Sequence, residues 1–566
     1  VKNRRVLAIL GVATTFGLAG VLVSGLAAKD DEHSKHFKFH EDSLVLSRSV
    51  YVGTAETVTI GEVLPHGCPG GPNGSYDVAV PTTTPGVTTV VTVTCGVASD
   101  NGEFPNLNDS HNVWNNSGTD SSFGVSSPIF LDNLTTDGRF LGSLAIPRDQ
   151  LVTSFSSKSE LALNRSADGK SITFMAYQGG PGCGGNPVSP TAPNLIDVSA
   201  SNTPAICDPT NPVITSHVSS PVVPTAYYRA VAEVNGDGHL ELTDGNAYSG
   251  DNGRAAIKAG NGWYYMVGND NSGNIPKGQL STTPAGIELI NATGSELLEP
   301  GGTPPVPPNI GMIGRLQFGK DKPGKDTNFR GMTIFNNTLY VTKGSGGNGV
   351  NTVYQVGSAG TLPTGTAAEL AAMPITILPG FPNTLASTGT SFPFGIWFAN
   401  TTTLYVCDEG DGNFVSPPVN GNVADAQSQA TAGLQKWSLV NGSWTMLYVL
   451  HDGLNIGVPY GLTNYPAALN PATGGCRNIT GRHNDDGTVT VYAITSTISA
   501  NGDTGADPNK LVKVRDVLSA TTLPTSDGVN DQDDRIGHFK TIRSAKAGEV
   551  FRGVAFAPRD DDGDDH

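Results

Sequence analysis

The chain has 566 residues, a formal net charge of −17, and 71 glycines and 38 prolines against only 15% charged residues. Helix formers at 3.6-residue spacing are scarce, which excludes a helical bundle and favours short strands joined by turns and long polar loops. No basic stripe offsets the acidic balance, which excludes nucleic acid and anionic lipid surfaces as partners.

Lys2, Arg4 and Arg5 precede an uncharged, mostly apolar run from Val6 to Gly25. Small residues follow at Gly25, Ala27 and Ala28, ahead of Lys29-Asp30-Asp31-Glu32. That is the order of a secretory signal peptide spanning 1–28, with cleavage after Ala27 or Ala28. The rival reading is an uncleaved anchor, because about 20 apolar residues can span a bilayer. Cleavage implies a secreted, extracellular or periplasmic protein with no membrane attachment. The six cysteines, Cys68, Cys95, Cys183, Cys207, Cys407 and Cys476, suit that oxidising setting. Nearest-neighbour disulfides 68–95, 183–207 and 407–476 are expected, each stapling a long loop, although sequence alone leaves other pairings open.

Residues 29–86 are expected to be an extension packed on the domain that follows. Within it Leu44–Ile60 reads as one or two strands and Cys68–Gly74 as a glycine-proline loop. From 87 to 558 the chain carries a repeat. Three N-terminal segments, Val87–Val97, Pro128–Asn133 and Arg139–Ile146, read as strands. Six strand openings of similar flavour then recur: 159–163, 253–257, 329–333, 393–397, 459–463 and 551–555. Each of the first five precedes a more apolar strand, at 172–177, 263–268, 339–344, 404–410 and 489–496. Outer strand pairs lie between the openings, for example Tyr227–Val234 with His239–Leu242 and Gly433–Leu439 with Ser443–Leu450. Two inner and two outer strands per unit is the grammar of a β-propeller blade, so the expected fold is all-β with six blades, seven being the alternative. Val550–Pro558 lacks a following second strand and is expected to pair with N-terminal strands, closing the ring and removing exposed edges. The acidic run at 559–566 reads as a flexible tail.

The succession PFGIWF (393–398), LYVCDEG (404–410), GLQKWSLVNGSW (433–444), KLVKVRD (510–516) and VFRGVAFAP (550–558) resembles a family of uncharacterised secreted bacterial β-propeller proteins built on FRG-type inner strands. The resemblance covers about residues 87–558 and is most specific over 393–558. It implies the fold and an extracellular location, and no activity.

The openings put Glu160, Arg254, Arg330, Phe394, Tyr460 and Arg552 at corresponding inner-strand positions, beside a central channel where propellers commonly hold ligands. Converging arginines suit a carboxylate, a phosphate or an acidic sugar. The plainer reading is that each arginine satisfies backbone carbonyls or Glu160 and pins neighbouring blades together. Asp408 and Glu409 are expected at a channel mouth, as metal or acid–base groups or as a solvated loop. Asn235, Asp237 and Asp244 mimic a calcium loop, but flanking strands favour a hairpin tip. Beyond that calcium possibility no cofactor is expected. No Gly-x-Ser-x-Gly elbow supports nucleophilic hydrolysis. The sequence therefore favours a non-catalytic, monomeric propeller that binds a small anionic ligand, a glycan or an envelope component, or serves as an extracellular structural protein. The alternative is a hydrolase or lyase acting on a polysaccharide or lactone in the channel.

Overall fold

The structure is a computed structural model. It describes most of residues 37–559, apart from 51–125 (short strand segments excepted), 179–228, 270–285, 292–327 (311–313 excepted) and several shorter stretches. Residues 1–36 and 560–566 lie outside the described residues. So do Cys68, Cys95, Cys183 and Cys207, the signal segment, and the acidic tail.

Along the strands from Trp263 to Gly268 and from Thr488 to Ile498 nearly every side chain is buried, and successive ones face opposite sides. Tyr265 and Val267 pack with Leu339, Val341 and Tyr354 on one side. Tyr264 and Met266 pack with Met175 and Val231 on the other. Likewise Val489, Val491 and Ala493 join Tyr405 and Leu434, while Tyr492 and Ile494 join Leu44, Leu46 and Phe551. A sheet with an apolar neighbour on each face needs such near-continuous apolar strands.

The sheets are the blades of a six-bladed β-propeller. Blade 1 runs Glu549–Phe556, Leu44–Val50, Ile129–Leu134, Phe140–Ala145, from the inner strand outwards. Blade 2 consists of Asn164–Arg165, Ser171–Gln178, Arg229–Asn235 and Leu240–Gly245. Blade 3 is Gly253–Lys258, Trp263–Gly268, Ile287–Asn291 and Gly311–Ile313, and blade 4 is Met332–Phe335, Thr338–Lys343, Thr352–Val356 and Ile375–Ile377. Blade 5 is Pro393–Asn400, Thr403–Asp408, Gly433–Val440 and Ser443–Leu450. Blade 6 is Ala472–His483, Thr488–Ile498, Lys510–Val517 and Lys540–Ser544. Each inner strand touches the next, and that of blade 6 returns to that of blade 1.

Closure is antiparallel, with Leu44 opposite Phe556 and Val50 opposite Glu549. Arg48 clamps it. Its Nε and Nη2 grip Asp132 at 2.9 and 3.1 Å, and its Nη1 reaches Glu549 at 3.0 Å. One guanidinium thus ties three strands of blade 1 in a bidentate, charge-assisted geometry. As expected, the C-terminal strand closes the ring on N-terminal strands, with Ile129–Leu134 and Phe140–Ala145 supplying the outer pair; the immediate partner differs. Leu44–Val50 belongs to the propeller and not to an extension, whereas Thr88–Thr94 forms a separate hairpin with Ser75–Pro81.

The glycine after the opening residue has a steric cause. A Cβ on Gly331 would run into the Phe394 carbonyl oxygen, one on Gly395 into that of Arg477, and one on Gly553 into the backbone at 161–163. Adjacent inner strands approach so closely that only glycine fits.

Candidate functional site

The inner strands, or the segments that lead into them at Glu160 and Arg330, bring one side chain from each blade to the inner edge of the ring. In blade order 1 to 5 these are Arg552, Glu160, Arg254, Arg330 and Phe394, all buried. The sixth differs from the sequence reading. The inner strand of blade 6 is Ala472–His483, and the close approach of Gly395 to Arg477 puts Arg477 beside Phe394. Tyr460 lies outside that strand, where its hydroxyl donates to the Pro508 carbonyl at 2.8 Å. Going round from blade 5, the order is Phe394, Arg477, Arg552, Glu160, Arg254, Arg330.

These side chains reach across blade boundaries. Arg254 of blade 3 donates to Ser159 Oγ at 3.0 Å, to the Phe329 carbonyl at 2.6 Å and to Asn328 Oδ1. It thereby links the segments that lead into blades 2 and 4. Arg552 donates to Ser49 Oγ at 3.3 Å and to the Phe155 carbonyl. Arg477 Nε meets Glu409 Oε2 at 3.0 Å, joining blade 6 to the end of the second strand of blade 5. Asn478 accepts from the Val554 amide at 2.6 Å and donates to the Leu163 carbonyl at 3.4 Å. Hydroxyls on second strands repeat the device: Ser47 donates to the Leu161 carbonyl, Thr173 to that of Ala256 and Thr342 to that of Phe394. Cys407 and Cys476 form a disulfide across the same blade 5–blade 6 boundary. It joins two blades, whereas the sequence reading had it staple a loop.

The acids in this region are also engaged. Glu160 accepts from Thr153 Oγ1 at 2.8 Å, the Ser154 amide at 3.1 Å and the Tyr177 hydroxyl. Burial pushes its carboxyl up, against those donors and the charge of Arg552. Asp408 accepts from the Phe392 and Gly410 amides at 2.9 Å each and from Gln435 Nε2 at 2.8 Å. Burial, reinforced by the charge of Glu409, still pushes it up to about 7. Both Asp408 and Glu409 are buried, so the run is not a solvated loop. Arg552 is pulled down to about 9, first by burial and then by the like charge of Arg477.

The calcium-like residues do not converge. Asn235 Oδ1 accepts from the amides of Asp237 and His239 at 3.1 and 2.9 Å, closing a tight turn. Asp237 is largely exposed. Asp244 lies opposite Ala230, four register positions from the Val234–Leu240 pair, a separation of roughly 13 Å along a strand. No group of three His, Cys, Asp or Glu side chains among the described residues is arranged to hold a metal ion.

A second polar centre lies between blades 5 and 6. Lys436 Nζ contacts Asp516 Oδ2 at 3.0 Å, Tyr448 Oη at 2.9 Å and the Val517 carbonyl at 2.7 Å. The Tyr405 hydroxyl donates to Asp516 at 2.6 Å. This ammonium forms part of the wall of an open cleft of about 500 Å³, lined also by Asn400, Thr403, Ser438, Leu447 and Leu518. With all three donors committed, Lys436 is a structural cation, even though burial lowers its pKa.

Sequence reasoning missed Arg477 and Asn478. The available signal was spacing. Thr333 precedes Leu339 by six residues and Trp397 precedes Leu404 by seven, but Thr463 precedes Val489 by 26. An inner strand had to lie between.

No protein-family model matches the chain, and no curated protein matches it. Among solved structures, a mutant apocarotenoid oxygenase from Synechocystis is similar at 9% identity and a TM-score of 0.21. The match covers 83% of this chain and 60% of that one, so the chain spans less than two thirds of that protein's length. A likeness this weak carries no argument about activity. No helix among the described residues is long and apolar enough to cross a membrane.

Proposed function

We propose that this chain is a secreted, non-catalytic β-propeller that acts as an extracellular or cell-envelope binding scaffold. One observation carries the reading: the charged groups at the inner edge, where a propeller enzyme would act, are engaged in bonds between strands and blades. Glu160 accepts from three donors, Glu409 holds Arg477, and Asp408 accepts from two amides and Gln435. A general acid or base needs an oxygen within reach of substrate, and these oxygens are taken. The inter-blade disulfide and the signal-like N-terminus support an oxidising, exported setting.

The alternative, a hydrolase or lyase on a polysaccharide or lactone, draws on the raised pKa of Glu160, which suits a general acid. Assaying the secreted protein and Glu160→Gln against chromogenic glycosides, acidic polysaccharides and lactones separates the readings. The scaffold reading expects no turnover above background from either protein, together with a lower unfolding midpoint for Glu160→Gln. Turnover by the native protein that Glu160→Gln abolishes while remaining folded overturns it.

A further inference from the structure

We infer that Arg477 and Arg552, side by side on the inner strands of blades 6 and 1, form a binding site for a small oxyanion: a carboxylate, a sulfate or a phosphate. This goes beyond the scaffold reading by assigning the inner edge a ligand of stated chemistry.

Donor accounting supports the site. Arg552 is enclosed at 4% exposure. Its Nε and Nη2 are used by Ser49 and Phe155, but its Nη1 is buried and has no hydrogen-bond partner among the described residues. A buried donor left unmade is costly, more so when it is charged. Arg477 commits only its Nε, to Glu409. Its terminal nitrogens make no hydrogen bond among the described residues, and its side chain keeps 6% exposure.

Charge accounting points the same way. Four guanidiniums, Arg254, Arg330, Arg477 and Arg552, share the inner edge with three carboxyls, Glu160, Asp408 and Glu409, and burial pushes Glu160 and Asp408 up towards their neutral forms. The two cations at issue are close enough that Arg477 disfavours the charge on Arg552. Glu160 relieves Arg552 only in part: its charge favours the guanidinium, but burial pushes its own carboxyl up and its oxygens already accept from Thr153, Ser154 and Tyr177. An oxyanion between the two forks would accept from Arg552 Nη1 and the Arg477 terminal nitrogens at once. It would also turn a like-charge contact into a charge-assisted one. The Glu409 carboxylate that holds Arg477, and the Ser49 hydroxyl and Phe155 carbonyl that hold Arg552, would keep the donors in place before the ligand arrives, lowering the ordering cost of binding.

The test titrates the full chain with sodium sulfate, sodium phosphate and sodium acetate in separate thermal-unfolding series, with ionic strength held constant by sodium chloride. The expected result is a saturable rise in unfolding midpoint with at least one anion, the ranking separating carboxylate from tetrahedral oxyanions. Arg477→Gln, shown to be folded by circular dichroism, should weaken the apparent Kd at least tenfold. A rise without saturation for all three salts, or a Kd in Arg477→Gln within twofold of the native value, overturns the proposal. Should Arg477→Gln fail to fold, crystals of the native protein soaked in selenate decide. An anomalous selenium peak within hydrogen-bond reach of Arg552 Nη1 supports the site, and a peak elsewhere or none contradicts it.

Discussion

Asp408 shows what burial does to one side chain when the fold needs its shape more than its charge. Its oxygens hold the start of blade 5's inner strand through the Phe392 amide, and Gln435 on the third strand. Yet its carboxyl rises from 3.8 to about 7, because burial outweighs the donors that favour the anion. Burial raises Asp244 to about 7 as well. A folded-state value above the unfolded one means that the native state binds more protons. The stability each group contributes is therefore complete below the unfolded value and is lost as pH rises through 7. Lowered carboxylates such as Asp452 and Asp486 titrate below this window. The native protein should lose stability between about pH 5 and 8, and Asp408→Asn, which keeps an acceptor and cannot ionise, should lose less. Urea midpoints at both ends of that range check this; equal losses in the two proteins would refute it.

At the scale of the element, blades 5 and 6 are the most heavily fastened pair among the described residues. The Cys407–Cys476 disulfide, the Glu409–Arg477 pair and the Lys436–Asp516 cluster all cross that boundary. The disulfide closes a sequence separation of 69 residues, so replacing both cysteines with serine should cost about 2–4 kcal/mol, much of it by loosening the unfolded chain. Equilibrium urea unfolding measures the loss, and an unchanged midpoint would show that the bond contributes nothing. Much of this element-scale order was legible in the sequence, since alternation and turn glycines mark strands wherever both partners are local. The outer pair Gly433–Val440 with Ser443–Leu450 is such a case. The blade 6 inner strand was not, because Pro459-Tyr460-Gly461 imitates the local flavour of an opening without its spacing. Nor was the role of Leu44–Val50, whose partner lies about 500 residues away; no local periodicity encodes a pairing at that range. In the site, Glu160 and three of the arginines were found from the repeat. Arg477 and Asn478 were lost with the misplaced strand.

Across the whole molecule, the ring holds because each inner strand is keyed to its neighbours from inside as well as packed from the sides. Interleaved apolar faces give the blades affinity for one another, but apolar packing alone sets register weakly. Arg254, Arg477, Arg552 and Asn478 add directional bonds to backbone and side-chain acceptors on other blades, and these tolerate little sliding. The central claim is that these polar side chains fasten the propeller. Arg254→Met tests it most directly, because it keeps the stem's bulk while removing the bonds to Ser159, the Phe329 carbonyl and Asn328 Oδ1. Equilibrium urea unfolding of the protein should show one cooperative transition shifted to lower denaturant, a loss of about 1–3 kcal/mol. A variant as stable as the native protein would contradict the account and return the inner-edge arginines to a role in ligand binding alone.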